Sequence, residues 1–207
     1  WEYERSFLAG RIDFFSYLGP ACPICGTRDC YQPMEPYWRY AVDLYPFRKR
    51  RIPVARFLCR GKGRTFSLLP EQLIPYVQYT VDAVVRTMLL VLEYRRRGQR
   101  GFHGASLEVD PESSVTPWLI ACWVAVVLKG LRRAHPVLRA RYDLSGIRTT
   151  GEEESLGTEL EMYFSAFGAW PPRAGPEALV AVARSYSRQS GRFLFGTPSQ
   201  LRGPRSG

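Results

Sequence analysis

Two segments, Ala21–Cys30 (ACPICGTRDC) and Arg50–Pro70 (RRIPVARFLCRGKGRTFSLLP), decide how this chain is read. The second alternates apolar and basic residues around a glycine-rich break. This predicts two strands, Ile52 to Cys59 and Arg64 to Leu69, joined by the turn Arg60-Gly61-Lys62-Gly63. Pro53 has no N–H to give to a ladder, so the first strand is expected at a sheet edge.

Together the segments place four of the five cysteines within 38 residues. Cys22 and Cys25, three positions apart with Gly26 behind them, have the spacing with which two thiolates grip one tetrahedral ion, and zinc is its natural occupant. Cys59 on the first predicted strand supplies a third ligand. The fourth is less regular: a second knuckle would place Cys or His three residues after Cys59, where this chain has Lys62. Cys30 completes the set if the loop Gly26-Thr27-Arg28-Asp29 folds back. The expected ligands are therefore Cys22, Cys25, Cys30 and Cys59, holding a structural Zn2+ in a zinc-ribbon-like β module. Two other readings remain open: the cysteines are small buried hydrophobes at a lost site, or CxxC is a redox pair. The glycine and prolines around Cys22 disfavour the helix start a redox pair normally occupies. Cys122 lies in the most apolar segment and is expected to be packing.

Leu44 to Pro70 contains no acidic residue but eight cations, Arg48, Lys49, Arg50, Arg51, Arg56, Arg60, Lys62 and Arg64, of a net charge of +10. Interleaved with Tyr45, Phe47, Phe57 and Phe66, they suit a surface that tracks a phosphate backbone, duplex DNA first. The plainer reading is a solvated basic face. Of the 29 basic residues in the chain only Lys49, Lys62 and Lys129 are lysine. Arginine forks suit phosphate and guanine, although a GC-rich coding sequence gives the same bias.

The 207 residues, 45% hydrophobic, suffice to bury a core. Clustered, odd-numbered cysteines point to a reducing compartment and so to a cytoplasmic protein. Arg11 and Asp13 interrupt the N-terminal segment, so no apolar core of a signal peptide is expected there. The longest apolar run, Trp118 to Leu128, falls well short of the ~20 residues that span a bilayer, so no membrane partner is expected.

The expected fold is α+β, a small N-terminal ribbon-like module followed by a mainly α-helical domain. Residues 1–20 form a packing arm and 21–75 the basic module. The helical domain runs over 76–195, and 196–207 are a flexible tail. Thr80 is a good N-cap for a helix running to Gly98, and Thr116-Pro117 opens another that stops before Pro136. Between them FHGASLEV is a short helix, and Thr158 to Phe167 and Pro176 to Gln189 are two amphipathic ones. Residues 137–157, with Glu152, Glu153 and Glu154, read as a solvated connection, and Phe193 to Phe195 as a docking point. The order of helices over 80–135 also allows a helix-turn-helix, with Ser113, Ser114 and Thr116 at the groove entry, but the would-be recognition helix is very apolar.

Catalysis is not expected. His103 and His135 are the only histidines, neither lies in a metalloprotease or nucleophile motif, and no glycine loop cradles phosphate. Asp43 imitates the first carboxylate of a metal-dependent nuclease, without convincing partners.

CPICG, IPVARFLCRGKGRTFSLLP, the following IPY and the C-terminal RFLFGTPSQ together resemble uncharacterised bacterial proteins related to the zinc-ribbon regions that precede helix-turn-helix segments in transposases. The resemblance implies DNA binding linked to mobile elements, zinc on Cys22, Cys25 and Cys59, and a transposase as a possible partner. Lys62 departs from the cysteine such ribbons carry, and no catalytic carboxylate domain has a counterpart here. The competing expectation is a protein–protein interaction module that docks on a transposase or another partner.

Overall fold

In the computed structural model, which describes residues 2–109, 114–147, 153–171, 175–190 and 193–195, the basic stretch is one arm of a long antiparallel hairpin. Two short helices, α1 (Glu2–Leu8) and α2 (Phe14–Leu18), come first. Strands β1 (Tyr31–Leu44), β2 (Phe47–Cys59) and β3 (Arg64–Leu68) follow, and the short β4 (Leu73–Ile74) and β5 (Val77–Thr80) complete a sheet in the order β3-β2-β1-β5-β4. Helices α3 (Val81–Arg96), α4 (Gly101–Glu108), α5 (Pro117–Leu138), α6 (Glu153–Ala166) and α7 (Gly175–Ser190) make up the rest. The fold is α+β, strands ahead of mainly helical sequence, as expected.

The register explains how this hairpin serves two cores. β1 pairs with β2 from Tyr31↔Cys59 to Leu44↔Phe47, interrupted by a bulge between Met34 and Tyr37, where Pro33 and Pro36 limit regular pairing. At one end Tyr31, Ala55, Phe57 and Cys59 form a small cluster with Cys22, covered by Phe7, Phe14 and Leu18 of the N-terminal helices. At the other end Val42 and Leu44 enter the large core shared with β4, β5 and all five later helices. Between them Ala41, Ile52 and Leu73 form a third, minor cluster.

The N-terminal packing arm is two short helices. Gly10, at φ 63°, breaks it, and Asp13 restarts it by accepting from the backbone N–H groups of Phe15 and Ser16. Pro53 sits on a strand with neighbours on both sides, contrary to a simple edge. However, β3 pairs only with Ala55 to Cys59, so β2 is open beside Pro53, whose carbonyl accepts instead from the Tyr3 hydroxyl at 3.1 Å.

Thr80 caps α3 as expected, accepting from the Ala83 N–H at 3.1 Å, and Thr116 caps α5 through Leu119. Helix α5 does not stop before Pro136 but runs to Leu138. In the last turn a missing N–H removes a single bond, and Leu138, buried in the core, holds the end in place. Likewise α6 starts at Glu153, inside the expected polar connection, while Glu152 lies outside the described residues. Leu194 and Phe195 dock as expected: Arg133 donates to the carbonyls of Phe193 and Leu194, and Gly130 of α5 lets that carbonyl approach its backbone. The tail 196–207 lies outside the described residues. No helix among the described residues is long and apolar enough to cross a membrane.

Candidate metal centre and basic hairpin

The backbone around Cys22 folds as the glycine requires. The Gly26 N–H donates to the Cys22 carbonyl at 2.8 Å, Gly26 adopts φ 75°, and the Cys22 N–H returns to Thr27 at 3.0 Å. This tight turn presents Cys22 and Cys25 to the same point. Asp29, at φ 54°, then reverses the chain, and Cys30 is fastened to the β2–β3 turn through its carbonyl, which accepts from the Arg60 N–H at 2.9 Å. The sheet register delivers Cys59 opposite Tyr31.

The result is a four-thiol cluster. The Sγ atoms of Cys22, Cys25, Cys30 and Cys59 all lie within 4.8 Å of one another, with Cys25 to Cys30 at 3.0 Å and Cys30 to Cys59 at 3.8 Å. A tetrahedral ion with metal–sulfur bonds of about 2.3 Å has ligand–ligand edges of about 3.8 Å, so small adjustments admit one ion. Cys22 and Cys59 are buried, and Cys25 and Cys30 are half-buried. Hydrogen bonds from Cys30 and then Thr27 hold the Cys25 thiol down to about 6, while the same contact with Cys25 pushes Cys30 up and burial pushes Cys59 up. The four cysteines are thus placed as a metal site closed by Cys30. Lys62 is exposed, and its N–H donates to the Cys59 carbonyl at 3.3 Å, so it shapes the turn behind the site. Cys122, half-buried on α5, stands outside this cluster.

The eight cations do not form one patch. Arg60, Lys62 and Arg64 surround the β2–β3 turn beside the cysteines, whereas Arg48 to Arg51 lie at the opposite end of β2. Cys59 is eleven positions along the strand from Arg48, about 35 Å of extended chain. Consecutive strand residues face opposite ways, so Lys49 and Arg51 share one sheet face and Arg48 and Arg50 the other. Arg48, Lys49 and Arg51 are exposed and Arg50 is half-buried, while Arg56 reaches Thr65 and Arg60 reaches Gln32.

The interleaved aromatics, available by sequence for stacking or packing, are used for packing. Phe57 is buried and packs at 5.4 Å on Phe66, Phe47 packs on the large core, and the Tyr45 hydroxyl meets Thr87 at 3.1 Å. Exposed rings of the hairpin include two that the pattern of β2 does not reveal: Trp38 and Tyr40 of β1, 44% and 47% exposed. Tyr40 pairs with Arg51 across the ladder, and the Lys49 ammonium stands 4.4 Å from the Tyr40 ring centroid. The signal was present in PYWRY, but two prolines and a glutamate hid the strand that carries it.

Ser114 and Thr116 are exposed just before α5, Ser114 at φ 53°. The helix they would introduce to a groove is spent on packing: Ile120, Trp123, Val124, Val127, Leu128 and Leu131 are buried, and Lys129 is the first charged residue along it. Asp43 accepts from the Thr80 hydroxyl at 3.0 Å and so helps to seat α3.

Comparisons with protein-family models, curated proteins and solved structures find no match. The resemblance to transposase-associated ribbons therefore rests on the quoted residues alone.

Proposed function

We propose that this chain is a nucleic-acid-binding protein, DNA being the expected ligand, in which the β1–β2 hairpin contacts phosphates and a structural zinc ion on Cys22, Cys25, Cys30 and Cys59 fixes its outer end. The observation that carries the reading is the exposure of Arg48, Lys49 and Arg51 on a hairpin anchored at both ends, by a thiol cluster and by the helical core. Anchoring matters because a cation held on a rigid strand loses less freedom on meeting phosphate than one on a loop. Zinc fits the donor set: four thiolates in a closed arrangement select a soft, tetrahedral ion and leave no open position for chemistry. The role of the metal is structural, and the reading assigns no reaction to the protein. The test is a titration of the zinc-loaded chain against labelled DNA over a range of salt. Affinity falling linearly on a log–log plot is expected, and weak or salt-independent binding refutes the reading.

A second reading, a docking module for a protein partner, draws on Trp118, 74% exposed in the first turn of α5. A binding partner retained after nuclease treatment and lost in Trp118→Ala supports it; retention in that variant removes it.

A further inference from the structure

Resting on the nucleic-acid reading, we infer that Trp38 and Tyr40 form a stacking platform for unpaired bases, so that the hairpin takes single-stranded nucleic acid in preference to duplex. Four observations combine. Trp38 and Tyr40 sit two residues apart on β1 and therefore on the same sheet face, both with nearly half their surface open. The register adds Lys49 and Arg51, both exposed, to that face and no acidic side chain between Trp38 and Phe47, since Asp43 falls on the opposite one. The face is bounded at both ends by buried clusters, Ala55, Phe57 and Cys59 on one side and Val42 and Leu44 on the other, so the rings lie on a supported surface. Exposed large aromatics on a sheet face, rather than the serines and threonines usual there, give up favourable burial, and stacking against a ligand restores it.

Spacing selects the ligand. Rings at alternate strand positions are roughly 7 Å apart, about twice the ~3.4 Å advance per nucleotide of a duplex strand. Paired bases also keep their faces inside the stack, where a flat sheet cannot reach them. An extended single strand offers both the wider spacing and free base faces, and its phosphates then run along Lys49 and Arg51. DNA and RNA share this chemistry, so either source satisfies the platform.

The test compares the zinc-loaded chain binding fluorescein-labelled oligothymidine, oligouridine and a duplex of equal length at fixed salt. Wild type, Trp38→Ala/Tyr40→Ala and Trp38→Phe/Tyr40→Phe are used, with thermal melts to confirm folding. The inference predicts tighter binding to at least one single strand than to duplex. It also predicts a loss of about tenfold or more in the alanine variant, since each stacked base is worth about that. The salt slope should stay unchanged, and the phenylalanine variant should recover most of the affinity. Equal affinity for single strand and duplex, or an alanine variant that binds like wild type, overturns the platform while leaving the phosphate reading standing. Absence of salt-dependent binding to all three ligands overturns both.

Discussion

Cys30 and Lys62 divide between them the task that a regular ribbon gives to its second knuckle. Lys62 supplies the turn, its N–H bonded to the Cys59 carbonyl, and Cys30 supplies the sulfur, 3.8 Å from that of Cys59. Cys30→Ser should therefore abolish metal binding as fully as Cys22→Ser, and Lys62→Ala should leave it intact, which elemental analysis of the purified variants would show. Since each ligand must shed its proton, metal release should rise as pH falls, and a zinc dye would follow it. At Gly130 the constraint is steric. A methyl group there runs into the Leu194 carbonyl, and the neighbouring Leu194 and Phe195 side chains are buried. Gly130→Ala should gain about 1 kcal/mol in helix propensity but lose about 3 kcal/mol to the displaced segment, because the clash is with backbone. Denaturant melts measure the net loss, and a stabilised variant would mean the contact is absent.

Among the elements, the hairpin and α3 are tied by side chains that straddle their junction. Thr80 caps α3 while its hydroxyl donates to Asp43 of β1, and Tyr45 reaches Thr87 two turns further along. Thr80→Ala removes both bonds of that hydroxyl and should cost about 1–2 kcal/mol, whereas Thr80→Ser should retain most of it. Equal melting of the two variants would show that the cap carries no weight. At this scale the sequence was most legible where chemistry is local. The caps Thr80 and Thr116, the apolar run of α5 and the β2–β3 turn follow from residue types a few positions apart. Strand β1 was not legible, because Pro33, Glu35 and Pro36 break its alternation and long-range pairing, with β2 across a bulge and with β5 at Val42, holds it extended. With β1 hidden, so was the exposure of Trp38 and Tyr40. Spacing in β2 alone leaves its aromatics open to stacking or to packing, and the small core decides for packing. Pro136 misled in the other direction, since burial of Leu138 outweighs one lost backbone bond.

For the molecule as a whole, the two main apolar clusters lie at opposite ends of one hairpin, and only the smaller includes the cysteines. Removing the metal should therefore loosen the outer end first. Hydrogen exchange after chelation should accelerate over residues 20–33 and 57–68 and change little in α3 and α5; uniform acceleration would mean the metal holds the entire fold. The clustering of the four cysteines was readable as a set, but the separation of the charges was not, because a run of cations in sequence carries no statement of which face or which end of a strand each occupies. The phosphate-binding account assigns most of the work to the inner group, Arg48 to Arg51, anchored by the helical core. The most direct test is the slope of log affinity against log salt for wild type and for the variant with Arg48, Lys49, Arg50 and Arg51 all changed to alanine. Lys49 and Arg51 share one sheet face, and loss of their two phosphate contacts should flatten the slope by about 1.5 units. A slope that stays the same in the fourfold variant contradicts the account.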